Sequence, residues 1–337
     1  MLFPRALQPG DRIGVTSPSS GVSERLWPRL EAGVASLRER GFEVVVGECM
    51  SADRVTSAPK ERRAAELMSM LLDPEVRAVV PPWGGELAID LLDELDWDAL
   101  AAAEPTWTVG FSDSTAWMLP LTLRLGWATL HGSNLMDTPY VPPEGLLHWV
   151  DVASATAPFL QRSPGRFRDS GWDDYAGDPG VSTMTLEGEG SWTLVGGGGL
   201  DVTGRLVGGC VEIMTALAGT PYGDVPAFGR EHADEGLIVY LEVADYPSYD
   251  VARILHGLRY AGWFAEAEAI LIGRTRAKGF DDLSQHEAVI DALGMLDVPI
   301  VLDVECGHAQ PFLPLVNGAL ARVVVDDRRR EITQTLA

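Results

Sequence analysis

Apolar segments with the length of β-strands alternate with helical segments through the first part of the chain. Residues 11–16 and 42–46 are apolar and β-branched, and residues 26–40 between them carry apolar side chains at helical spacing. The same alternation continues to residues 127–131 and includes a helix predicted over residues 86–95, after the Gly84-Gly85 turn. Strands of this kind are buried on both faces, because helices cover both sides of a parallel sheet. The pattern therefore predicts an α/β fold built on a parallel sheet.

A change in composition divides the chain into two units. Residues 161–200 are rich in Pro, Gly, Ser, Asp and Trp and include the run Gly196 to Gly199, which favours a linker and a surface loop. Residues 201–337 return to strand and helix segments and end in two strands. We expect an N-terminal α/β domain over residues 1–160, a linker and loop over residues 161–200, and a C-terminal domain over residues 201–337.

Charge and cysteine content limit the partners and the compartment. The formal charge is -23 with an isoelectric point near 4.5, which would repel nucleic acid. The three cysteines are far apart in sequence, which argues against a disulfide framework and fits a reducing compartment. No segment has the roughly 20 apolar residues of a membrane span, and the N-terminus lacks a signal pattern. We expect a cytoplasmic protein that binds neither nucleic acid nor membrane.

Three polar side chains follow apolar strand segments, where a side chain faces a cleft instead of a core. They are Ser112 in Gly-Phe-Ser-Asp, Glu242 in Leu-Glu-Val, and His308 in Cys-Gly-His-Ala-Gln-Pro. A serine hydroxyl needs an adjacent base, and that base needs a partner that orients it. The set predicts a Ser-Glu-His hydrolase triad. The backbone amide of Asp113 and one from the Gly84-Gly85 turn could hold the oxyanion.

Each of these residues also has a purely structural interpretation. Ser112 or Asp113 could cap the following helix, and Glu242 could turn to solvent at its strand end. Another histidine, His131, also ends a strand and competes with His308 for a place in the cleft, although a structural role is favoured for it.

Two function classes stay open beside the serine enzyme. A two-lobed, non-catalytic small-molecule binding protein would share parallel α/β lobes without needing a triad. A cysteine hydrolase could use Cys306, which lies two residues from His308 and shares its face if the strand continues. A buried, inert thiol is the favoured interpretation of Cys306.

An ordered set of motifs resembles the serine LD-carboxypeptidase family, which includes the muramoyltetrapeptide carboxypeptidases and the microcin C immunity peptidases. The set consists of Gly-Phe-Ser-Asp at 110–113, Gly-Arg-Leu-Val-Gly-Gly at 204–209, Gly-Thr-Pro-Tyr at 219–222, Leu-Glu at 241–242 and Cys-Gly-His at 306–308. The resemblance extends over nearly the whole chain. It implies a flavodoxin-like N-terminal domain, a smaller β-rich α/β C-terminal domain and a homodimer.

The resemblance also implies roles for individual residues. Ser112 would be the nucleophile, His308 the general base, Glu242 its orienting carboxylate, and the amides of Gly85 and Asp113 the oxyanion donors. Neither step of acyl transfer needs a metal, and no cofactor motif is present, so we expect no cofactor.

The substrate implied is a small peptide conjugate, either a peptidyl or aminoacyl nucleotide or an L-D muropeptide. Trp192 could stack on a nucleobase, although packing against the linker is favoured for it. Glu86, beside the paired glycines, and the Trp192 segment resemble the microcin-immunity branch. Cys210 stands where many relatives have Asn, so substrate specificity could differ here.

Overall fold

The computed structural model describes residues 1–336, which form two sheets with helices packed against them. The strands are β1 (Arg12–Val15), β2 (Glu43–Val46), β3 (Val76–Val79), β4 (Trp107–Gly110), β5 (Thr129–His131), β6 (Phe159–Arg162), β7 (Arg166–Phe167), β8 (Gly188–Glu189), β9 (Thr193–Leu194), β10 (Leu200–Cys210), β11 (Leu237–Glu242), β12 (Ala267–Gly273), β13 (Ile300–Val304), β14 (Leu315–Asn317), β15 (Leu320–Val325) and β16 (Arg330–Thr335). The helices are α1 (Trp27–Glu39), α2 (Lys60–Leu72), α3 (Trp97–Ala102), α4 (Thr115–Leu125), α5 (Trp149–Ala153), α6 (Val211–Leu217), α7 (Val225–His232), α8 (Ser248–Tyr260) and α9 (Gln285–Leu293).

The first sheet confirms the parallel α/β architecture predicted from the strand pattern. Its strand order is β14-β5-β4-β3-β1-β2, and β1 to β5 run parallel. Most of β1 and all of β4 and β5 are buried, because helices cover both faces. The sixth strand, β14, comes from the C-terminal part of the chain and pairs antiparallel with β5.

The second sheet is mixed and β-rich, as expected for the C-terminal domain. Its order is β6-β16-β15-β10-β11-β12-β13-β9, with β10 to β13 parallel and the flanking strands antiparallel. Two of its strands, β6 and β9, lie in or beside the segment interpreted as a linker and loop. That segment therefore contributes to the sheet and also contains the antiparallel pair of β7 and β8.

The two sheets are joined by a continuous apolar core. Trp117 and Leu121 of α4 belong to the same buried cluster as Met214 of α6 and Phe228 of α7. Helix α4 ends at Gly126, whose φ of 67° is the left-handed conformation that closes a helix. The carboxyl ends of β4, β11 and β13 consequently meet where the two sheets approach each other.

The helix predicted for residues 86–95 does not form, and only a single 3-10 turn, Ile89–Leu91, is present there. Gly85 has a φ of 138°, and the amides of Leu87 and Ala88 donate to the side chains of Ser19 and Asp113. These bonds hold the segment outside a helix. Within residues 1–336, none of the helices is both long and apolar enough to cross a membrane.

Candidate active site

Ser112 lies at the turn that follows β4, just before α4. Its φ of 65° is unusual for a residue other than glycine, and such a conformation costs on the order of 1–3 kcal/mol. Strain of this kind is tolerated where the surrounding structure holds the backbone. The turn is fixed in part by Asn134, whose side-chain oxygen accepts the amide of Phe111 at 3.3 Å. The hydroxyl of Ser112 is thereby presented to a cavity between the sheets.

The structure brings Ser112, His308 and Glu242 together in one hydrogen-bonded chain. His308 Nε2 lies 3.0 Å from Ser112 Oγ, and His308 Nδ1 lies 2.7 Å from Glu242 Oε2. The ring of Phe111 packs against the imidazole with its centroid 5.0 Å away. Glu242 and His308 are 66 positions apart in sequence, and Ser112 and His308 are 196 positions apart. They lie side by side only because the strand ends that carry them meet.

The carboxylate and the imidazole shift each other's protonation. Burial would raise the pKa of Glu242, but the charge of His308, the hydrogen bond from His308 and the nearby imidazole of His131 hold it well below its usual value. Burial would lower the pKa of His308, but the nearby carboxylate of Glu242 raises it above its usual value. The pair therefore favours an ionised Glu242 that stabilises positive charge on His308.

Glycines permit the close packing of this site. Gly307 has a φ of 96°, and a side chain there would collide with the carboxylate of Glu242. A Cβ at Gly84 would come within 2.7 Å of the Ser112 Cβ and within 2.8 Å of the Asp113 amide nitrogen. The loop of residues 84–88 is thus pressed against the turn that carries Ser112.

Asp113 ties these two segments together. Its Oδ2 accepts the hydroxyl of Ser19 at 2.5 Å and the amide of Ala88 at 2.8 Å. Burial raises the pKa of the Asp113 carboxyl, against the effect of these two hydrogen bonds. Gly85 and Asp113 both line the cavity beside Ser112.

The cavity in front of Ser112 has a volume of about 590 Å³. Of the residues predicted to contact substrate, Glu86 and Cys210 line it. The walls also include residues that the sequence interpretation missed: Trp172, Glu212, Asp245, Tyr246 and Arg276.

Trp172 and Arg276 form one wall of the cavity. The Trp172 side chain is 45% exposed, and the Arg276 guanidinium lies 4.9 Å from its ring centroid. The guanidinium also donates to the backbone oxygens of Gly171 and His308. In the sequence this wall is marked only by Gly171-Trp172 in a polar segment, and nothing local indicates which surface that segment contacts.

Trp192 is placed away from the cavity. It is only 2% exposed, packs in the core of the second sheet, and donates its indole N–H to the carboxylate of Glu305. A stacking role does not fit this position, because the residue is buried. The packing interpretation fits it instead.

The two nearby thiols are buried. Cys210 is 2% exposed and Cys306 is 1% exposed, and burial raises the pKa of both thiols, with the charge of Glu242 adding to the effect. The Cys210 thiol lies 3.1 Å from Glu212 Oε2 and donates to it. A nucleophilic cysteine needs the opposite conditions, a lowered pKa and access, so a cysteine hydrolase does not fit Cys306.

Two family models match the chain. One describes the LD-carboxypeptidase N-terminal domain and covers residues 13–132, and the other describes the LD-carboxypeptidase C-terminal domain and covers residues 203–323. The chain belongs to the LD-carboxypeptidase family. It is therefore an enzyme, a serine-type carboxypeptidase or related hydrolase, and the alternative of a non-catalytic binding protein is wrong.

Relatives within the LD-carboxypeptidase family carry two kinds of name. A protein of Streptomyces coelicolor named as a carboxypeptidase is 30% identical, with 97% of this chain and 94% of that protein covered. The microcin C7 self-immunity protein MccF of Escherichia coli is 23% identical (99% and 96% covered). The murein tetrapeptide carboxypeptidase of Pseudomonas aeruginosa is 28% identical (89% and 89% covered).

A solved structure of MccF in complex with aspartyl sulfamoyl adenosine has the same fold. It superposes with a TM-score of 0.84 at 22% identity and covers 100% of this chain and 99% of its own. This likeness confirms the two-domain LD-carboxypeptidase fold.

Proposed function

We propose that this member of the LD-carboxypeptidase family hydrolyses an amide bond with a Ser112-His308-Glu242 triad. The observation that carries the proposal is the continuous chain from Ser112 Oγ through both nitrogens of His308 to Glu242, with distances of 3.0 and 2.7 Å. Ser112 and His308 line a cavity that is large enough for a small substrate.

In the proposed mechanism, Ser112 Oγ attacks the amide carbonyl while its proton passes to Nε2 of His308. The negative charge that develops on the carbonyl oxygen is held by the amides of Gly85 and Asp113. His308 then gives the proton to the leaving amine as the C–N bond breaks. Water then attacks the acyl-enzyme and loses a proton to the same imidazole. The ester C–O bond breaks, Ser112 Oγ takes that proton back from His308, and the acid product leaves. Glu242 keeps Nδ1 protonated and stabilises the imidazolium in both halves.

The charges around the cavity favour an aminoacyl nucleotide over a muropeptide. A muropeptide presents a terminal carboxylate, whereas Glu86, Glu212 and Asp245 place carboxylates on the walls. The guanidinium of Arg276 is engaged by two backbone oxygens. An aminoacyl conjugate carries its ammonium group on the carbon next to the scissile carbonyl, where it would lie near these carboxylates.

The exposed indole of Trp172 also supports an aminoacyl nucleotide as the substrate. A flat aromatic surface at a cavity wall can stack on a nucleobase, and such stacking contributes about 1–3 kcal/mol per base. The known complex of MccF with aspartyl sulfamoyl adenosine gives the substrate to test first. The second candidate is an L-D muropeptide, because a relative is named as a murein tetrapeptide carboxypeptidase.

The test is a side-by-side turnover assay with aspartyl sulfamoyl adenosine and an L-D tetrapeptide. We expect the wild-type protein to hydrolyse the first substrate faster and Ser112→Ala to abolish turnover. Ser69→Ala, at an exposed serine on α2, is the matched control and should keep full activity. Turnover retained by purified Ser112→Ala would refute the triad, and cleavage of the tetrapeptide alone would refute the choice of substrate.

Two further predictions concern assembly and location. We expect a homodimer and a cytoplasmic protein, on the family resemblance and on the residue composition respectively. Light scattering of the purified protein and cell fractionation test them.

A further inference from the structure

A second histidine lies on the far side of the Glu242 carboxylate from His308. His131 ends β5, is 4% exposed, and packs its ring edge-on against Tyr240 with a centroid distance of 5.3 Å. The ring of Phe111 lies beside both imidazoles, with centroid distances of 6.3 Å to His131 and 5.0 Å to His308. His131 is therefore part of the same packed unit as the triad, although it does not reach Ser112 through a hydrogen bond.

The two oxygens of Glu242 are used unequally. Oε2 accepts from His308, but within residues 1–336 Oε1 has no hydrogen-bond partner, and neither does Nε2 of His131. These two atoms lie 3.8 Å apart. A fully buried carboxylate oxygen without a donor is costly, and the unpaired imidazole nitrogen facing it is equally costly. A movement of less than about 1 Å would join them in a hydrogen bond of normal length.

The other titratable groups around Glu242 offer it no charge to pair with. They are Tyr240 on the same strand, Cys210 on β10 and Cys306 after β13. Burial raises the pKa of each, so all three stay neutral and none is a cation. The imidazoles of His308 and His131 are thus the groups placed to donate to this carboxylate, one at each oxygen.

We propose that His131 is a positioning residue for catalysis, which donates its Nε2 proton to Oε1 of Glu242 and fixes the carboxylate that orients His308. The inference rests on the proposed triad. It requires the Nε2–H form of His131, because a lone pair on that nitrogen would repel the carboxylate. Catalytic hydrogen bonds are often long before substrate binds and shorten in the reacting complex, which accounts for the 3.8 Å separation.

The experiment compares His131→Phe, which keeps the ring shape without a donor, with His131→Gln, whose amide can still donate to Oε1. Both are assayed with aspartyl sulfamoyl adenosine and the L-D tetrapeptide beside wild type and Ser112→Ala. Removing the residue that orients a metal-bound histidine typically costs about 10–100-fold, and His131 would orient Glu242 in a comparable way. We expect His131→Phe to lose at least tenfold in kcat with KM within about twofold, and His131→Gln to keep at least a third of kcat.

The pH profile separates positioning from simple packing. Without a donor on Oε1, Glu242 interacts more strongly with His308, so the acid limb of kcat/KM should move to higher pH in His131→Phe and stay in place in His131→Gln. Wild-type kcat in His131→Phe, or equal losses in both variants with unmoved limbs, would overturn the inference. If wild type cleaves neither substrate, or Ser112→Ala remains active, the proposed function fails instead.

A measurement on the unsubstituted protein keeps the inference testable if His131→Phe does not fold. Nitrogen-15 NMR of labelled histidine should show Nε2 of His131 protonated at pH 8, with the assignment taken from the signal missing in His131→Gln. Its proton resonance should shift in Glu242→Gln, because the acceptor changes from a carboxylate to an amide. An unprotonated Nε2, or a resonance that ignores the change at Glu242, would overturn the inference whatever the substrate proves to be.

Discussion

Gly84→Ala tests whether the placement of Ser112 limits the reaction. The added Cβ would lie 2.7 Å from the Ser112 Cβ and 3.0 Å from its Oγ, whereas ordinary contacts begin at 3.4 Å. The backbone around Gly84 or Ser112 must therefore move by about 0.7 Å. A misplacement of about 1 Å in a reacting group can cost about 100-fold in rate. We expect kcat to fall by at least tenfold and the free energy of unfolding to fall by about 1–3 kcal/mol.

The assay is steady-state turnover of aspartyl sulfamoyl adenosine, with urea unfolding of the same samples. Gly257→Ala is the matched control, because this glycine lies on the exposed face of α8 and a Cβ there has no neighbour within 4 Å. It should leave kcat unchanged and raise stability by about 0.5–1 kcal/mol. Wild-type kcat in Gly84→Ala would show that the position of Ser112 is not held by this contact.

Three other predictions follow from the protonation states and from the cavity wall. Because the pKa of His308 is raised, the acid limb of kcat/KM should lie above the ordinary histidine value of 6.5. Glu242→Gln should move this limb to lower pH and reduce kcat, which a pH-rate profile measures. Burial, opposed by the hydrogen bond from Tyr175, raises the pKa of Asp137 to about 6. The folded state therefore binds this proton more tightly than the unfolded state, and the protein loses stability as pH rises through 6. Relative to Asp137→Asn, the wild type should therefore lose about 1–2 kcal/mol between pH 5 and pH 8 in urea unfolding, and parallel pH profiles would contradict this. Trp172→Ala should raise KM for the nucleotide substrate about tenfold or more and spare the tetrapeptide, with Trp172→Phe intermediate; equal effects on both substrates would contradict base stacking.

The three residues of the proposed triad could be predicted because each follows an apolar strand segment. Ser112, Glu242 and His308 are polar residues at strand ends, and parallel strands bring their carboxyl ends to one edge. This local signal, with the family motifs, was enough to place all three in one cleft. The meeting itself depends on two sheets packing together, which no local pattern describes.

The cavity wall could not be predicted in the same way. Trp172 and Trp192 both lie in a polar, glycine-rich segment, and their local sequences are similar in character. One ring faces the cavity and the other fills the core of the second sheet, because the segment adds strand β9 to that sheet. Which tryptophan is exposed is thus decided by long-range strand pairing. The predicted helix over residues 86–95 failed for a related reason, since Ser19 and Asp113 hold that segment from other parts of the chain.

The pairing of β14 with β5 means that the two halves of this enzyme are interlocked. Leu315 to Asn317 complete the edge of the first sheet, and buried Asn317 binds both the Thr129 hydroxyl of β5 and the Tyr240 hydroxyl of β11. Swinging the halves apart about a hinge would break this strand pairing and expose those groups. The path of the chain therefore opposes any opening of the cleft by a hinge motion of the two halves.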